Sequence, residues 1–216
     1  RRGEKKSMQP FAASSIPLVT LGTFLLWFGW FGFNGFSQLA MGTFDDVNAI
    51  SKIAVNTHLA GAAGTVTGAA LTRLIGGKTD IVMMLNGALA GLVAITAEPL
   101  TPGPITAMVI GSIGAVIMYY GTKLLESLGL DDVVGAIPVH MFAGIFGTLV
   151  VPLTNIDTSF GTQFIGVISV CIFSFVLSWI TFSTLKSTVG LRISRAAEKQ
   201  GTDKAEVGVV AYSIRD

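Results

Sequence analysis

The chain has 216 residues, of which 51% are hydrophobic and only 12% are charged, and its formal net charge is +1. A sequence this apolar cannot cover a water-facing surface, so the composition excludes a soluble globular protein and indicates an integral membrane protein. The near-neutral charge and the spread of basic residues over many loops also exclude a nucleic-acid partner. The single cysteine, Cys171, excludes an internal disulfide and is expected to pack as a small apolar residue.

A polar segment precedes the first apolar stretch. It begins RRGEKKSMQP and contains no short apolar core with a cleavage site, which argues against a signal peptide. We predict that residues 1–14 are a cytoplasmic loop and that the chain begins in the middle of a longer protein.

Six apolar stretches follow, each close to the ~20 residues that a helix needs to cross ~30 Å of hydrocarbon. They lie at 16–36, 50–75, 81–97, 105–125, 133–153 and 164–185. The connections between them are short and rich in Gly, Pro and Asp, which predicts tight turns between neighbouring helices. We therefore predict an all-α membrane protein in which residues 15–185 form one bundle of six transmembrane helices.

The basic residues predict how this bundle is oriented, because loops on the cytoplasmic side retain an excess of Lys and Arg. Every Lys and Arg except Lys52 falls on one side of the predicted membrane. Both ends of the chain are therefore expected in the cytoplasm, with residues 186–216 as a cytoplasmic tail and the protein in the cell membrane.

The first apolar stretch contains the run FLLWFGWFGFNGFSQLA, residues 24–40, in which bulky rings are interrupted by glycines. At ~1.5 Å per residue, Phe33 lies on the order of 25 Å from the inner edge, near the outer mouth. Aromatic rings at that depth usually form an anchoring belt that faces lipid. Because Gly29 and Gly32 allow another helix or a solute to approach closely, a gate is the alternative. Asn34 is placed to cap the end of this helix.

Small residues recur in the third and fourth stretches, at Gly87, Gly91, Gly111 and Gly114. In hydrocarbon, small side chains let helices approach closely where no hydrophobic effect drives their association. We interpret these glycines as helix-packing positions.

The two histidines, His58 and His140, both lie within predicted membrane helices. Asp132 suits the positive end of a helix dipole, and His140, eight residues later, is expected on the order of 10 Å inside the membrane. An ionisable residue at that depth is a functional candidate, and a neutral histidine bonded to a neighbouring helix is the alternative. His58 approaches a similar depth from the other side. It either pairs with His140 or, as we expect, packs against a neighbouring helix or subunit.

Four segments occur in the order typical of a known family: GWFGFN followed by Ser37, VNTHLAGAAG, NGALAGLVAIT and DDVVGAIPVHMFAGIFGTLVV. Together they resemble the second half of an ammonium transporter of the Amt/Mep/Rh family. The resemblance implies a homotrimer of eleven-helix protomers, each with its own narrow apolar pore. The six helices predicted here would be the second inverted repeat and the last helix of that fold.

The resemblance also implies roles for individual residues. Phe33 falls on the gate phenylalanine of the second repeat, Ser37 on the hydroxyl of the ammonium recruitment site, and Trp30 on a pore-lining tryptophan. His140 falls on the second of two histidines that line the pore and relay protons, and Asp132 on an acidic position at the start of its helix. Ammonium would be deprotonated at the outer site and ammonia would cross, because a narrow apolar pore disfavours a cation.

Four residues depart from the family pattern and are expected to modify the pore without removing it. Phe36 and Met141 stand where glycine is common, and Gly135 stands where many members carry an aspartate. Glu98 adds an acidic group near the outer end of its helix, where it would contribute negative potential at the mouth.

The tail resembles the family's regulatory segment at GLRIS and at five later residues: Gly201, Asp203, Glu206, Ala211 and Tyr212. That segment contacts a neighbouring protomer and, in many bacteria, lies near the binding site of a PII-type signalling protein. A disordered tail is the alternative.

The expected partners are ammonium or ammonia, membrane lipids and further copies of the chain. We expect no cofactor and no enzymatic activity, because the sequence has no metal cluster, nucleophile–base pair or phosphate loop. Two other hypotheses stay open, namely an ammonium sensor of the same fold and a half-bundle that only structures a larger assembly.

Overall fold

The computed structural model describes residues 13–211, and every regular element in that range is helical. The α-helices are α1 (Ile16–Gly35), α2 (Phe44–Gly76), α3 (Ile81–Thr96), α4 (Pro104–Ser127), α5 (Ala143–Val150), α6 (Phe160–Thr188) and α7 (Arg195–Gln200). Tighter 3₁₀ turns lie at Phe36–Gln38 and Val151–Leu153, and wider π-helical turns lie at Ile137–Phe142 and Asp203–Val207. The predicted all-α class is confirmed. The predictions for the N-terminal loop up to residue 12 and for Tyr212 lie outside the described residues.

The helices differ in their capacity to span a membrane. Within residues 13–211, three are long and apolar enough by length and composition: Ile16–Gln38, Pro104–Ser127 and Phe160–Thr188. Two shorter apolar helices lie at Ile81–Thr96 and Ile137–Leu153. α2 has 33 residues and begins at Phe44, ahead of the stretch at 50–75 that the sequence predicts. The six-span arrangement therefore remains a prediction.

Side chains just ahead of two helices fix where these helices begin. Thr43 and Asp46 form a capping box at the start of α2, in which each side chain accepts the backbone N–H of the other residue. The hydroxyl of Thr43 and the amide of Gln38 also donate to Asp46 and hold the pKa of its carboxyl below the usual 3.8. Asp80 accepts the N–H of Met83 at 3.0 Å and so caps α3.

The backbones of α2, α3 and α4 touch one another. An added methyl group would collide with another helix at every glycine that the sequence analysis singled out: Gly87, Gly91, Gly111 and Gly114. At Gly87, for example, that methyl carbon would lie 2.6 Å from the carbonyl oxygen of Gly64. The carbonyl of Ala60, on α2, lies against Gly91 of α3 and against Gly111 of α4. The interpretation of the glycines as helix-packing positions is confirmed.

α3 lies at the centre of the packed core, and its residues Ala90 and Leu92 have no exposed surface. One buried cluster joins α2, α3 and α4 through Ala60, Ala94, Ile95, Ala107 and Ile110. A second cluster joins α3 and α4 to the chain around α5 through Ala90, Met118, Val139 and Ala143. By contrast, α1 buries only Thr23, Asn34 and Gly35, and its rings Phe24, Phe28 and Phe33 are exposed.

Residues from Ile165 onward form a separate compact unit. It contains most of α6 and the short helix α7, whose first turn Ser194 caps by accepting the N–H of Ala197 at 3.1 Å. The carboxylate of Asp203 accepts the N–H of Ala211 at 2.9 Å. The bond from Ala211 is the largest cause that lowers the pKa of Asp203 below 3.8, and the hydrogen bond from the N–H of Lys204 is the next largest. The described part of the tail therefore contains local hydrogen-bonded structure.

Candidate functional site

Trp30 is held by a single hydrogen bond to the end of α3. Its indole Nε1 donates to Thr96 Oγ1 at 2.7 Å, and that hydroxyl donates in turn to the carbonyl of Leu92 at 2.7 Å. A hydroxyl that both accepts and donates has one fixed orientation, so it holds the indole in place. Because the indole N–H of Trp30 donates to Thr96, it is not free to bind a solute, and Trp30 can line a path only with its ring.

An open hollow of about 530 Å³ lies at the C-terminal end of α1, lined by Gly29, Gly32, Phe33, Phe36, Ser37 and Leu39. Phe33 is 65% exposed, and its ring lies 5.8 Å from the ring of Trp30 at an interplanar angle of 58°. The hydroxyl of Ser37 donates its proton to the carbonyl of Phe33 at 2.8 Å. The oxygen of Ser37 can therefore act towards a ligand only as an acceptor.

Asn34 does not cap the end of α1, which corrects the sequence-based expectation. The last turn is instead closed by the following 3₁₀ turn, whose first N–H donates to the carbonyls of Asn34 and Gly32. The side chain of Asn34 is buried, and its amide donates to Thr57 Oγ1 on α2 at 2.9 Å. Asn34 therefore joins two helices directly behind the hollow.

The loop after α3 is tied down by two polar side chains. The carboxylate of Glu98 accepts the N–H groups of Leu100 and Thr101, both at 3.1 Å, and the amide of Asn155 at 2.8 Å. From α2, the amide of Asn56 donates to the carbonyls of Pro99 and Pro102 at 2.9 and 2.8 Å. Among the described residues, the groups that donate hydrogen bonds to Glu98 are all neutral.

The helix that carries His140 begins with a wide turn. The two oxygens of Asp132 accept the N–H groups of Ala136 at 2.9 Å and Ile137 at 2.8 Å, and these bonds cap the start of the turn. The amide of Asn86, on α3, donates to the carbonyl of Val134 at 3.1 Å. The carboxylate thus occupies the helix-start position that the sequence predicts for Asp132.

His140 lies in the π-helical turn Ile137–Phe142, a local geometry that is often associated with functional sites. Its side chain is exposed, and no group among residues 13–211 hydrogen-bonds to it. The alternative that the sequence left open, a histidine bonded to a neighbouring helix, is not seen in the part of the chain described. The ring of Phe142, two residues later, packs into the notch at Gly121 and fixes this turn against α4.

α3 connects the two parts of the candidate site. Near one end Thr96 holds Trp30, and nearer the other end Asn86 holds the start of the His140 turn. Ten residues separate these anchors, so they lie ~15 Å apart along the helix. The hollow and His140 are therefore positioned by one rigid element at different depths.

The comparisons with known proteins show the family to which the chain belongs. A family model described as the Ammonium Transporter Family matches residues 1–212. The chain belongs to this family. The resemblance inferred from the four motifs is confirmed, and so is the expectation of a transporter fold and not an enzyme, since the family is one of membrane transporters.

Relatives in the family cover nearly all of this chain but are much longer. Ammonium transporter Amt2 of Archaeoglobus fulgidus is 41% identical over 92% of this chain and 46% of its own length. A putative ammonium transporter of Synechocystis is 36% identical over 96% of this chain and 48% of its own length. The chain thus spans about half the length of the relatives it matches.

Solved structures show the same fold. A structure described as a Sensor Amt Protein superimposes with a TM-score of 0.86 at 33% identity, and the match covers 94% of this chain and 52% of the sensor chain. Mep2 of Candida albicans superimposes with a TM-score of 0.76 at 28% identity, and covers 90% of this chain and 46% of its own. The chain thus also spans about half the length of these structural relatives.

His58 lies apart from the elements that hold His140 in this family member. Its ring is 5.5 Å from the ring of Trp27 and 6.2 Å from the ring of Phe31, both on α1. No hydrogen bond joins His58 to His140 in the part of the chain described. The buried Nε1 of Trp27 has no hydrogen-bond partner within residues 13–211. These contacts agree with the packing role that we expect for His58.

Proposed function

We propose that this chain forms one half of a membrane pore that transports ammonium. In this proposal the cation is recruited at the hollow, gives its proton to the histidine relay that contains His140, and crosses as ammonia past Trp30. The observation that carries the proposal is the combination of an acceptor hydroxyl and exposed aromatic rings in one hollow with an exposed histidine to which no described residue hydrogen-bonds. The names of the relatives supply the substrate class.

The chemistry of the hollow suits ammonium. The oxygen of Ser37 is restricted to accepting, because its proton is donated to the backbone, and ammonium carries only donors. The face of Phe33 adds a cation–π contact, which contributes roughly 0.5 to 2 kcal/mol depending on its desolvation. Phe33 closes the path beneath the recruited cation and so acts as the gate.

The deeper part of the pore suits ammonia. A cation loses its hydration in a narrow apolar pore at a large cost, whereas a neutral molecule does not. His140 offers an imidazole that both donates and accepts, and an uncharged imidazole relays a proton along a pair. The second histidine of that pair would come from residues outside this chain. Asp132 supports the relay by holding the start of the turn that carries His140.

The proposal includes a membrane arrangement. Six helices cross the cell membrane with both ends in the cytoplasm, as the one-sided distribution of Lys and Arg favours. Three copies assemble in the membrane lipid, and the tail serves as the contact for a neighbouring copy or for a PII-type signalling protein. The hydrogen-bonded turn at Asp203 supports a role for the tail in recognition.

The experiment that tests the proposal replaces His140 by Ala in the complete protein that carries this sequence. We expect ammonium-dependent current in reconstituted liposomes to be abolished or strongly altered, because the relay loses its imidazole. His58→Ala is the matched control and should keep the current, since its ring packs against α1. An unchanged current in correctly assembled His140→Ala protein would remove His140 from the pathway.

A sensor is the second candidate function, because one of the similar solved structures is described as a Sensor Amt Protein. The same hollow would then bind ammonium without net transport. Saturable ammonium binding by the complete protein without any ammonium-dependent current would favour the sensor over the transporter.

A further inference from the structure

A second aromatic ring lines the hollow beside Phe33. Phe36 is the first residue of the 3₁₀ turn that follows α1, and its ring lies over Gly32. A methyl group added at Gly32 would lie 3.3 Å from Cε2 and 3.5 Å from Cδ2 of that ring. The ring is nevertheless 75% exposed, so it contributes little to packing within the described residues.

The two rings and the hydroxyl form three parts of one lining. Phe33 and Phe36 are three residues apart, which is the spacing of neighbours on one helical face. Ser37 follows directly and also lines the hollow, and its oxygen remains available as an acceptor. The absence of a side chain at Gly32 makes room for the ring of Phe36, and a methyl group added at Gly29 would have no described atom within 4 Å, so the space beside Gly29 is open to a small ligand.

This arrangement distinguishes small ammonium ions from one another. Ammonium binds most tightly where hydrogen-bond acceptors replace its hydration water. Each methyl group on the nitrogen replaces one N–H donor by apolar surface, and this surface can pack on the face of an aromatic ring. A hollow with one acceptor and two rings therefore binds a methylated cation more tightly than a hollow with one acceptor and one ring.

We propose that Phe36 is a specificity-determining residue of the outer site, and that its ring raises the affinity for methylammonium relative to ammonium. This inference rests on the proposed function, since it assigns a further residue to the same recruitment hollow. It adds a residue to that site without changing the gate or the pore.

The test measures uptake of ammonium and of methylammonium by the complete protein in liposomes, with Phe36 replaced by Leu or by Tyr. We expect Phe36→Leu to raise the KM for methylammonium about threefold to tenfold and that for ammonium by less, since one cation–π contact is lost. Vmax should stay unchanged, because the gate and the relay are intact. Phe36→Tyr should keep the wild-type KM values, because it retains the ring.

The matched control is Phe28→Leu, which removes an equally exposed ring from the same helix outside the hollow. Its KM values should equal those of the wild type. If Phe36→Leu changes Vmax alone, or changes neither KM, the inference is wrong while the proposed function stands. If the wild-type protein gives neither ammonium current nor uptake, the proposed function itself fails and this inference fails with it.

Discussion

Individual side chains at the site depend on single polar partners in other helices. Trp30 relies on Thr96, and Asn34 relies on Thr57, each through one bond of 2.7 to 2.9 Å. None of these partners stands out in the sequence except as a polar residue within an apolar helix. Sequence reasoning found the aromatic and histidine residues, because their types carry the chemistry. It missed their partners, because a partnership depends on how close two helices lie.

The bond between Trp30 and Thr96 leads to a prediction at this scale. Thr96→Val keeps the shape of the side chain and removes the acceptor, which leaves the indole N–H unpaired at a cost of about 1–3 kcal/mol. We expect a lower thermal stability in detergent and an altered transport rate for the complete protein. Thr96→Ser should restore both.

Thr65 provides the control for this change. Within residues 13–211, its hydroxyl donates to the carbonyl of Gly61 in its own helix at 2.9 Å and makes no hydrogen bond to another helix. Thr65→Val should therefore have little effect on the unfolding temperature. Equal losses at the two positions would show that Thr96 contributes through general packing and not through Trp30.

At the scale of elements, the apolar stretches predict where most helices lie but not how each begins. The structure starts α2 at Phe44, because the capping box of Thr43 and Asp46 extends the helix beyond its apolar part. The fifth stretch, predicted as continuous from 133 to 153, starts its helix only near Ile137. Gly135 has a φ of +76°, which is incompatible with a right-handed helix, so the helix begins after it. The periodicity of apolar residues does not reveal this backbone conformation.

The start of that fifth helix is the subject of a prediction at the element scale. Asp132→Ala leaves two backbone N–H groups without their acceptor, which should destabilise the complete protein by about 1–2 kcal/mol. Since the capped turn carries His140, the transport rate should fall as well. The measurements are thermal unfolding in detergent and flux in liposomes.

Glu126 provides the comparison for Asp132, because it is an acidic residue in an exposed pair with Lys123 at 3.2 Å. Such surface pairs contribute little to stability, so Glu126→Gln should leave the unfolding temperature nearly unchanged. If both substitutions prove neutral, Asp132 does not hold the turn.

At the scale of the whole molecule, the chain spans about half the length of its relatives and leaves aromatic rings of α1 and of the following turn exposed. It covers 46% of the length of the Archaeoglobus fulgidus relative, and Phe33 and Phe36 are largely exposed. A pore needs walls on all sides. We therefore expect liposomes that contain only these 216 residues to show background ammonium flux, with the complete protein as the positive control.

Selective, saturable ammonium uptake by the 216-residue chain alone would contradict this prediction. It would mean that copies of the chain enclose a path between them. His58 would then have to be reconsidered as the partner of His140.

The backbone contact between α2 and α3 restricts which motions the bundle can make. Gly87 and Gly91 form two notches that receive the carbonyl groups of α2, one helical turn apart. Sliding α3 by one turn, ~5.4 Å, would bring either Met83 or Ile95 into one of these notches, depending on the direction. Neither side chain fits against a carbonyl oxygen, so the two helices are locked along their axes. In the proposed pore, the passage of ammonia therefore relies on rotation of the exposed rings, while the packed pair α2 and α3 keeps its axial register.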